Sequence, residues 1–439
     1  MSRHHLAELA WLGQPHIPGR DTGRVSDSLM ATDTAFGRVI RLGQRAREKA
    51  LRVALRVILY PKKTRLKAIY LRSARAKRSD AEHAEEMDRQ LVDLGLGLRR
   101  KVISQYRGKH AGTGYKVLFQ LPMGGVGAIW FSDLMDCLSH TGISCLGVTK
   151  DDGSFREKWE GFQPNVFVSM DQVEVLRSLD LEFIASYAKA TGCVRLFTPI
   201  SKHRFPKDGM SRDDEWRFHL AASGKSVDAY FSMMEEEFFL EFFPEWVAAG
   251  FKYLALPNGC NPFIHYPAAG TKDLDYFIAT SYGPERQEIT WRYLKPVFDL
   301  YHGLLAGPGW GYGAGVVPPT ELRLLYSRSK IAPNPLASFL MKHPMEVSER
   351  TFSASACGAF VITNSTPVTS RFFSQQELTF VEDERQFLEA FSYFVDRPEE
   401  RNARALGALR RVYQEHTYFH RVDRLVAFLS GLGAPRPLA

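Results

Sequence analysis

Short apolar segments of strand length alternate with helical segments through most of this 439-residue chain. Residues 116–122 form one such strand, a helical pattern follows, and Gly142 closes that helix before the next strand at residues 143–148. Strands joined through a helix run parallel, because the helix carries the chain back across a face of the sheet. The pattern therefore predicts an α/β fold in which helices cover both faces of a parallel sheet.

The alternation extends over two series of strands. The first series continues at residues 165–169, 194–199, 228–232 and 253–256, and the second begins at residues 273–281. Two consecutive series predict two facing Rossmann-like domains with a ligand cleft between them. We place the boundaries at residues 1–110 for an N-terminal basic helical extension, 111–268 for the first domain and 269–439 for the second.

A glycine-rich turn joins the first strand to its helix. Gly124, Gly125 and Gly127 lie in this turn, where small residues let the backbone approach a ligand and helix N–H groups attract an anion. The spacing falls short of the GxGxxG fingerprint, and no acidic residue stands at the usual ribose-binding distance, which argues against a nicotinamide cofactor. Two interpretations are open: a loop that faces a phosphate or an acceptor sugar, and a tight structural turn.

A second loop of interest follows the strand at residues 194–199. Parallel sheets bind ligands beyond the carboxyl ends of their strands, and His203 lies just beyond this end. His203 is therefore the histidine that we consider for catalysis in this domain, with a surface loop position as the alternative.

The composition is that of a folded protein without membrane spans. Hydrophobic residues make up 45% of the chain, and no apolar run reaches the roughly 18–20 residues that cross a bilayer. The first residues show no signal-peptide pattern, so we expect a cytoplasmic protein. The five cysteines are scattered without CxxC or CxxH pairs, which predicts buried free thiols and no structural zinc site.

Positive charge is concentrated in the N-terminal extension. Residues 38–78 contain 15 lysines and arginines and one acidic residue, Glu48, in a chain of net charge +8, so the rest of the chain is net negative. Apolar and arginine-rich positions recur there at helical spacing until Pro61 interrupts them. Peripheral attachment to the anionic inner face of a membrane and a solvated or partner-binding extension both fit this pattern. Nucleic-acid binding is disfavoured, because base-stacking aromatic residues are not interleaved.

Several motifs follow one another within residues 254–437. They are LPNGCNP at 256–262, DYFIATS at 275–281, GPGW at 307–310, the set Tyr326, Lys330 and Asn334, RTFSASACGAFVITN at 350–364, and HTYFHR at 416–421. In this order they resemble the motifs of the CgeB-like glycosyltransferases, a branch of the two-domain GT-B superfamily. The ACGAF block followed by HTYFHR is the most specific part. Residues 111–268 agree with the resemblance in architecture alone, and residues 1–110 lie outside it.

The resemblance implies a GT-B fold and transfer of a sugar from a nucleoside-diphosphate sugar. The second domain would bind this donor, and the first would bind a saccharide, lipid-linked or protein acceptor, as in polysaccharide biosynthesis. No cofactor or metal is expected, because such enzymes commonly stabilise the leaving diphosphate with helix N-termini and basic side chains. Asp273 and Asp275 form an Asp-Leu-Asp sequence, but they open a strand and are interpreted as structural.

The resemblance also implies which residues bind the donor. Arg350 would lie at a helix start and bridge two phosphate oxygens, with a surface ion pair to Glu346 or Glu349 as the alternative. Lys330 is a catalytic candidate that would neutralise charge on the leaving group, with an exposed helix lysine as the alternative. The donor-binding candidates are Ser281, Tyr282, Glu346, Glu349, Arg350, Thr351 and Ser353.

Ser353 departs from the family pattern, which has a glutamate here that accepts hydrogen bonds from the nucleotide ribose. A serine is shorter and uncharged, so it makes a weaker interaction. A changed donor preference, compensation by Glu349 and loss of catalysis are all open. The alternative function is therefore a non-catalytic binding or scaffold protein on a degenerate glycosyltransferase fold.

Overall fold

A computed structural model describes residues 79–122, 126–149, 155–199, 210–310 and 315–433. The predictions made for residues 38–78, Gly124, Gly125 and His203 lie outside these described residues.

The described part of the chain begins with a long helix, α1 (Ser79–Tyr106). Its apolar side, which includes Leu91 and Val102, is buried against the folded body. The Tyr106 ring stacks on Phe419 with centroids 4.9 Å apart. Although its sequence is strongly charged, this helix is thus held by apolar and aromatic packing.

The first domain contains a six-stranded sheet. Its strands are β1 (Lys116–Gln120), β2 (Ser144–Val148), β3 (Val166–Asp171), β4 (Val194–Pro199), β5 (Ala229–Ser232) and β6 (Lys252–Ala255). Its helices are α2 (Val126–His140), α3 (Phe155–Phe162), α4 (Val173–Arg177), α5 (Leu181–Thr191), α6 (Arg212–Ala222), α7 (Glu236–Phe242) and α8 (Pro244–Ala248). All pairs are parallel, in the order β2-β1-β3-β4-β5-β6, as the alternation predicts.

One predicted helix is divided in two. The sequence pattern predicts a single helix that ends at Gly250, whereas the structure ends α7 at Phe242 and starts α8 at Pro244. Proline has no N–H for the preceding turn and a fixed φ that suits the first helical position, so it ends one helix and begins the next.

The second domain contains a five-stranded sheet. Its strands are β7 (Leu274–Ala279), β8 (Gly303–Ala306), β9 (Ser329–Asn334), β10 (Phe360–Asn364) and β11 (Thr379–Val381). Its helices are α9 (Pro284–Ile289), α10 (Lys295–Leu300), α11 (Pro319–Arg328), α12 (Ser338–Lys342), α13 (Glu349–Ala356), α14 (Thr369–Phe372) and α15 (Glu384–Val395), with a π-helical turn at Thr290–Leu294. The strands are again parallel, in the order β11-β10-β9-β7-β8.

Two terminal helices, α16 (Pro398–Glu415) and α17 (Tyr418–Gly431), complete the described chain. Helix α17 returns to the first domain and packs against α2. Helix α1 reaches the second domain, where Leu91 lies against Gly358: a Cβ there would sit 2.2 Å from Leu91 Cδ2, and its φ is +80°. Gly358 of the ACGAF motif is therefore required both by backbone conformation and by this close approach.

The two domains also share part of their core. Leu336, Leu340 and Met345 of the second domain belong to the same buried cluster as Phe239 and Trp246 of the first. The five cysteines are free, with Cys145 partly exposed and the other four buried. Within the described residues, no helix combines the length and apolar character needed to span a membrane.

Candidate functional site

The carboxyl ends of β7, β8, β9 and β10 lie side by side along one side of the second sheet, which we call its carboxyl edge. Helix α13 begins at this edge with Glu349 and Arg350. Open parallel sheets bind ligands at this kind of edge, and the first turn of a helix presents backbone N–H groups to an anion.

Arg350 is fixed in place by the end of β9 and the end of β7. Its Nε donates to Asn334 Oδ1 at 3.0 Å, and its Nη1 donates to the Ala279 carbonyl oxygen at 3.3 Å. Asn334 in turn donates from Nδ2 to Thr351 Oγ1 at 2.9 Å. The guanidinium thus bonds to an amide and a carbonyl, and not to Glu346 or Glu349. Among the residues that the structure describes, no hydrogen bond is made by Nη2.

Glu349 is the first residue of α13 and is partly exposed, whereas Ser353, one turn later, is buried. Burial raises the pKa of Glu349, and a side-chain hydrogen bond from Ser353 opposes that rise. The Ser353 side chain therefore lies close to the Glu349 carboxylate. The family that the motifs resemble has a carboxylate at position 353; this chain has a serine there, and the neighbouring carboxylate of Glu349 lies one turn earlier, at the helix start.

Ser281 and Tyr282 lie in the loop after β7, which is hydrogen-bonded to the loop after β8. Tyr282 N donates to the Pro308 carbonyl at 2.9 Å, and Trp310 Nε1 donates to the Thr280 carbonyl at 2.6 Å. The rings of Tyr282 and Trp310 are in contact, with centroids 4.8 Å apart. Ser281 is exposed at this edge.

Glycines make the approach of these two loops possible. Gly307 and Gly309 have φ values of +123° and +85°. A Cβ on Gly309 would lie 2.2 Å from the Tyr282 carbonyl oxygen, and one on Gly307 would lie 2.3 Å from that of Thr280. The GPGW motif is thus explained by backbone geometry next to the candidate site.

Glu346 lies where the two domains meet. The neighbouring Met345 carbonyl accepts a hydrogen bond from Glu235 N of the first domain at 2.9 Å. Burial raises the pKa of the Tyr253 phenol on β6, and the negative charge of Glu346 contributes to this rise. Glu346 is therefore placed toward the first domain, whereas Arg350 faces β7 and β9.

Gly127 lies in the first turn of α2, beyond the end of β1. A Cβ on it would meet Met170 Cε and Pro122 Cγ, each at 3.4 Å. The position is close-packed, which fits the interpretation of a tight strand-to-helix turn.

Lys330 is separated from the other candidates. It is the second residue of β9, and its Nζ donates to Asp275 Oδ1 at 2.8 Å. Asn334, which holds Arg350, ends the same strand four residues later, roughly 13 Å away at 3.3 Å per residue. Lys330 therefore belongs to a strand and not to a helix, and it lies at the opposite edge of the sheet from the donor-binding candidates. This placement corrects the expectation that it neutralises a leaving group at the same site.

The Asp-Leu-Asp sequence is engaged in ion pairs at that opposite edge. Asp273 pairs with Arg328, and Asp275 pairs with Lys330. Among the residues that the structure describes, no group of three or more His, Cys, Asp or Glu side chains is arranged to hold a metal ion.

A buried polar cluster beneath the start of α13 has no counterpart in the sequence prediction. It is formed by Asn258, Asn261 and His265 of the segment between the domains, together with Asp133 of α2. Asn258 Nδ2 donates to the Val347 carbonyl at 3.0 Å, just before α13. Asn258 and Asn261 stand in the quoted LPNGCNP motif, but His265 is a single histidine without a recognisable motif, and spacing alone could not associate it with Glu349.

Comparison with known proteins relates part of the chain to a described family and its fold to solved structures. Residues 286–427, about a third of the chain, match the model of a family described as glycosyl transferase-like. Sucrose-phosphate synthase from Thermosynechococcus elongatus has a similar structure, with a TM-score of 0.52 and 14% identity over 73% of this chain and 99% of that one. HepE from Anabaena, solved with UDP and glucose, gives a TM-score of 0.48 and 10% identity over 72% of this chain and 100% of that one. No curated protein sequence matches the chain.

The chain therefore has the two-domain GT-B fold predicted from its sequence, and its second domain carries a glycosyltransferase-like region. The family match includes Asn334, Glu349, Arg350 and Thr351, the residues that meet at the carboxyl edge of the second sheet. Assignment to the CgeB-like branch remains a prediction from the motifs.

Proposed function

We propose that this protein is a glycosyltransferase that takes its sugar from a nucleoside-diphosphate sugar. The observation that carries the proposal is the fixed position of Arg350 at the start of α13, within the glycosyl transferase-like region. A guanidinium and a helix N-terminus together stabilise the negative charge that develops on a diphosphate leaving group.

Each residue of the proposed donor site is assigned to one part of the nucleotide sugar. Arg350 and the N–H groups of the first turn of α13 bind the diphosphate, and Ser281 and Tyr282 border it at the end of β7. Glu349 takes the ribose-binding role that position 353 has in the resembling family, since it supplies a carboxylate one turn earlier on the same helix. The side chain of Thr351 is buried and holds Asn334, so we propose that it acts through the position of Arg350.

The first domain is proposed to bind the acceptor. Glu235 N of this domain donates to the Met345 carbonyl of the second, so the two domains meet there, and their closure over the donor would exclude water from the transferred sugar. A saccharide, lipid-linked or protein acceptor is proposed, as is independence from a bound metal. Peripheral membrane association through residues 38–78 is a separate proposal, and sedimentation of the full chain and a variant lacking residues 1–78 with anionic vesicles tests it.

Binding of nucleoside diphosphates tests the central proposal. Thermal unfolding is recorded with UDP, GDP, ADP, CDP and TDP, each with Mg²⁺ and with EDTA. A ligand at 100 times its Kd stabilises the folded state by about 2.7 kcal/mol, so one nucleotide should raise Tm. Arg350→Ala should abolish the shift, whereas Arg385→Ala, which removes an exposed arginine of α15, should preserve it. A wild-type protein that responds to none of the five contradicts the proposal.

A second function is supported by the buried Ser353. A protein that binds a nucleotide but transfers no sugar would be a binding or scaffold protein on a degenerate GT-B fold. Donor hydrolysis and transfer to a saccharide mixture separate the two functions, since a nucleotide-induced shift in Tm without turnover supports the second.

A further inference from the structure

The segment between the domains passes beneath the start of the donor helix. It leaves β6 after Ala255 and contains Asn261 and His265, both buried, with His265 only 4% exposed. Tyr413 of α16 donates its hydroxyl hydrogen to the His265 carbonyl at 2.8 Å. The backbone of the segment at His265 is therefore held by a terminal helix.

The hydrogen bonds of His265 define its protonation. Asn261 N donates to His265 Nδ1 at 3.2 Å, so Nδ1 is the acceptor and the proton of the neutral ring is on Nε2. Burial lowers the pKa of His265 to about 4, which keeps the ring neutral at physiological pH. The Nε2–H group faces Glu349, whose Oε1 lies 4.0 Å from Nε2. An approach of about 1 Å would make this contact a hydrogen bond.

Asn261 connects His265 to the first domain. Its Nδ2 donates to Asp133 Oδ1 at 2.8 Å and to Asp136 Oδ2 at 3.0 Å, both on α2. Its Oδ1 accepts a hydrogen bond from Phe263 N at 3.0 Å. Both ends of the Asn261 side-chain amide are therefore hydrogen-bonded, which also fixes the position of the backbone N–H group that donates to His265. Hydrogen bonds thus connect α2 through Asn261 to His265, and the 4.0 Å contact of His265 Nε2 with Glu349 Oε1 leads on to the first residue of the donor helix.

We propose that His265 is a positioning residue that presents its Nε2–H to Glu349 and holds this carboxylate in the orientation that binds the nucleotide. The inference rests on the proposed function, because it assigns a partner to a residue of the proposed donor site. A neutral N–H donor suits this task, since it orients a carboxylate without cancelling its charge, which the nucleotide hydroxyl groups require.

Two conservative variants in the full chain separate positioning from structural support. His265→Gln keeps an N–H near the position of Nε2 and loses the acceptor for Asn261 N. His265→Asn keeps an acceptor near Nδ1 and loses the group that faces Glu349. If His265 positions Glu349, Kd for the nucleotide that stabilises the wild type stays within about threefold in His265→Gln and rises about tenfold or more in His265→Asn. A merely structural role predicts the opposite order, because only His265→Asn keeps the link to Asn261.

If a His265 variant is less stable than the wild type, a double-mutant cycle with Glu349→Gln still tests whether His265 acts through Glu349. His265→Asn should weaken nucleotide binding in the wild type and have little further effect in Glu349→Gln. Equal effects of His265→Asn in both backgrounds overturn the inference. His302→Asn, at an exposed histidine, is the control and should leave Kd unchanged. A wild type that binds none of the five nucleoside diphosphates overturns the proposed function and the role of His265 with it, whereas normal wild-type binding with the reversed order of variants overturns the role of His265 alone.

Discussion

Asn334, the last residue of β9, accepts a hydrogen bond from Nε of Arg350 at 3.0 Å. The same amide donates to Thr351 Oγ1, so one buried side chain holds the first two positions after Glu349 on the donor helix. The carboxyl edge of the sheet is thereby connected to the helix start that we propose to bind a diphosphate.

Removing this amide tests its role in placing Arg350. Asn334→Ala should weaken binding of the nucleoside diphosphate by roughly tenfold, because a hydrogen bond to a charged group contributes about 1.5 kcal/mol. Isothermal titration calorimetry measures the change. Asn334→Asp is the matched variant, since it keeps an acceptor for Arg350 and loses the donor to Thr351, so it should retain more affinity than Asn334→Ala. Equal affinities of the two variants would show that this hydrogen bond does not position the arginine.

Introducing at position 353 the glutamate of the family that the motifs resemble should destabilise this protein. Ser353 is 1% exposed and lies one turn from the partly exposed Glu349, so Ser353→Glu buries a carboxylate beside a second one. We expect a loss of about 3 kcal/mol in the free energy of unfolding, measured by urea denaturation. Ser353→Ala, which removes only the hydroxyl, should cost about 1 kcal/mol.

The combination Glu349→Gln with Ser353→Glu moves the carboxylate by one turn. It should recover most of the lost stability, because a single carboxylate is left. A Ser353→Glu variant as stable as the wild type would contradict the close placement of the two side chains.

Gly309 should not tolerate a side chain. Gly309→Ala forces a Cβ to 2.2 Å from the Tyr282 carbonyl at a φ of +85°, so we expect a loss of about 2 kcal/mol in stability and displacement of Tyr282. Gly161→Ala is the control, since Gly161 lies in α3 with nothing within 4 Å of its Cβ position. That variant should gain about 0.5–1 kcal/mol. Urea denaturation measures the free energy of unfolding of both variants. Equal changes in the two would contradict the steric requirement for glycine at position 309.

His416 should make stability depend on pH. Burial and the nearby Arg421 lower its pKa to about 3 from an ordinary value of 6.5, and its Nε2 donates to the Phe372 carbonyl at 3.2 Å. Between these two pH values the unfolded chain binds a proton that the folded protein does not, so folding stability falls as pH falls.

The effect can be isolated with His416→Gln. Relative to this variant, the wild type should lose about 1.4 kcal/mol for each pH unit between pH 6 and 4, measured by urea denaturation. His302→Gln, at an exposed histidine, should show no such trend. Parallel stability curves for wild type and His416→Gln would contradict the buried neutral ring.

The start of the folded body can be located by truncation. A chain that begins at Ser79 keeps α1, with Leu91 against Gly358 and Arg99 Nε bonded to the Pro262 carbonyl at 2.7 Å. It should therefore unfold at nearly the same temperature as the full chain. A chain that begins at residue 111 exposes the surfaces that α1 covers and should aggregate or unfold at a clearly lower temperature. Similar melting curves for the two truncated chains would show that α1 contributes little.

The strands and most helices could be predicted from the sequence, because each depends on a local pattern. Buried parallel strands require short apolar runs such as residues 116–120, and Gly142 has the positive φ, +91°, expected where the sequence predicts a helix end. The helix start at Arg350 was predicted from a motif and is present in the structure. The two-domain fold followed from the number and order of these elements.

The errors concern residues whose role depends on position in the sheet. The sequence offered Lys330 as a helix lysine or a catalytic group, but pairing of β9 with β7 and β10 places it at the amino edge, beside Asp275. Pro244 divides a helix that its apolar pattern alone would continue. In both cases the deciding information is where a residue stands within an element.

The sequence by itself determined the alternation of strands and helices and the parallel sheets, since these follow from local spacing and backbone chemistry. The helix start that carries Arg350 was implied by the resemblance of its motif to a known family. Only the tertiary structure decided which polar groups meet. His265 stands 84 positions before Glu349 in the sequence, and Asp133 stands 128 before Asn261. Their contacts arise because the segment between the domains is enclosed by α2, α13 and α16, and burial there requires each polar side chain to find a partner that no local pattern specifies.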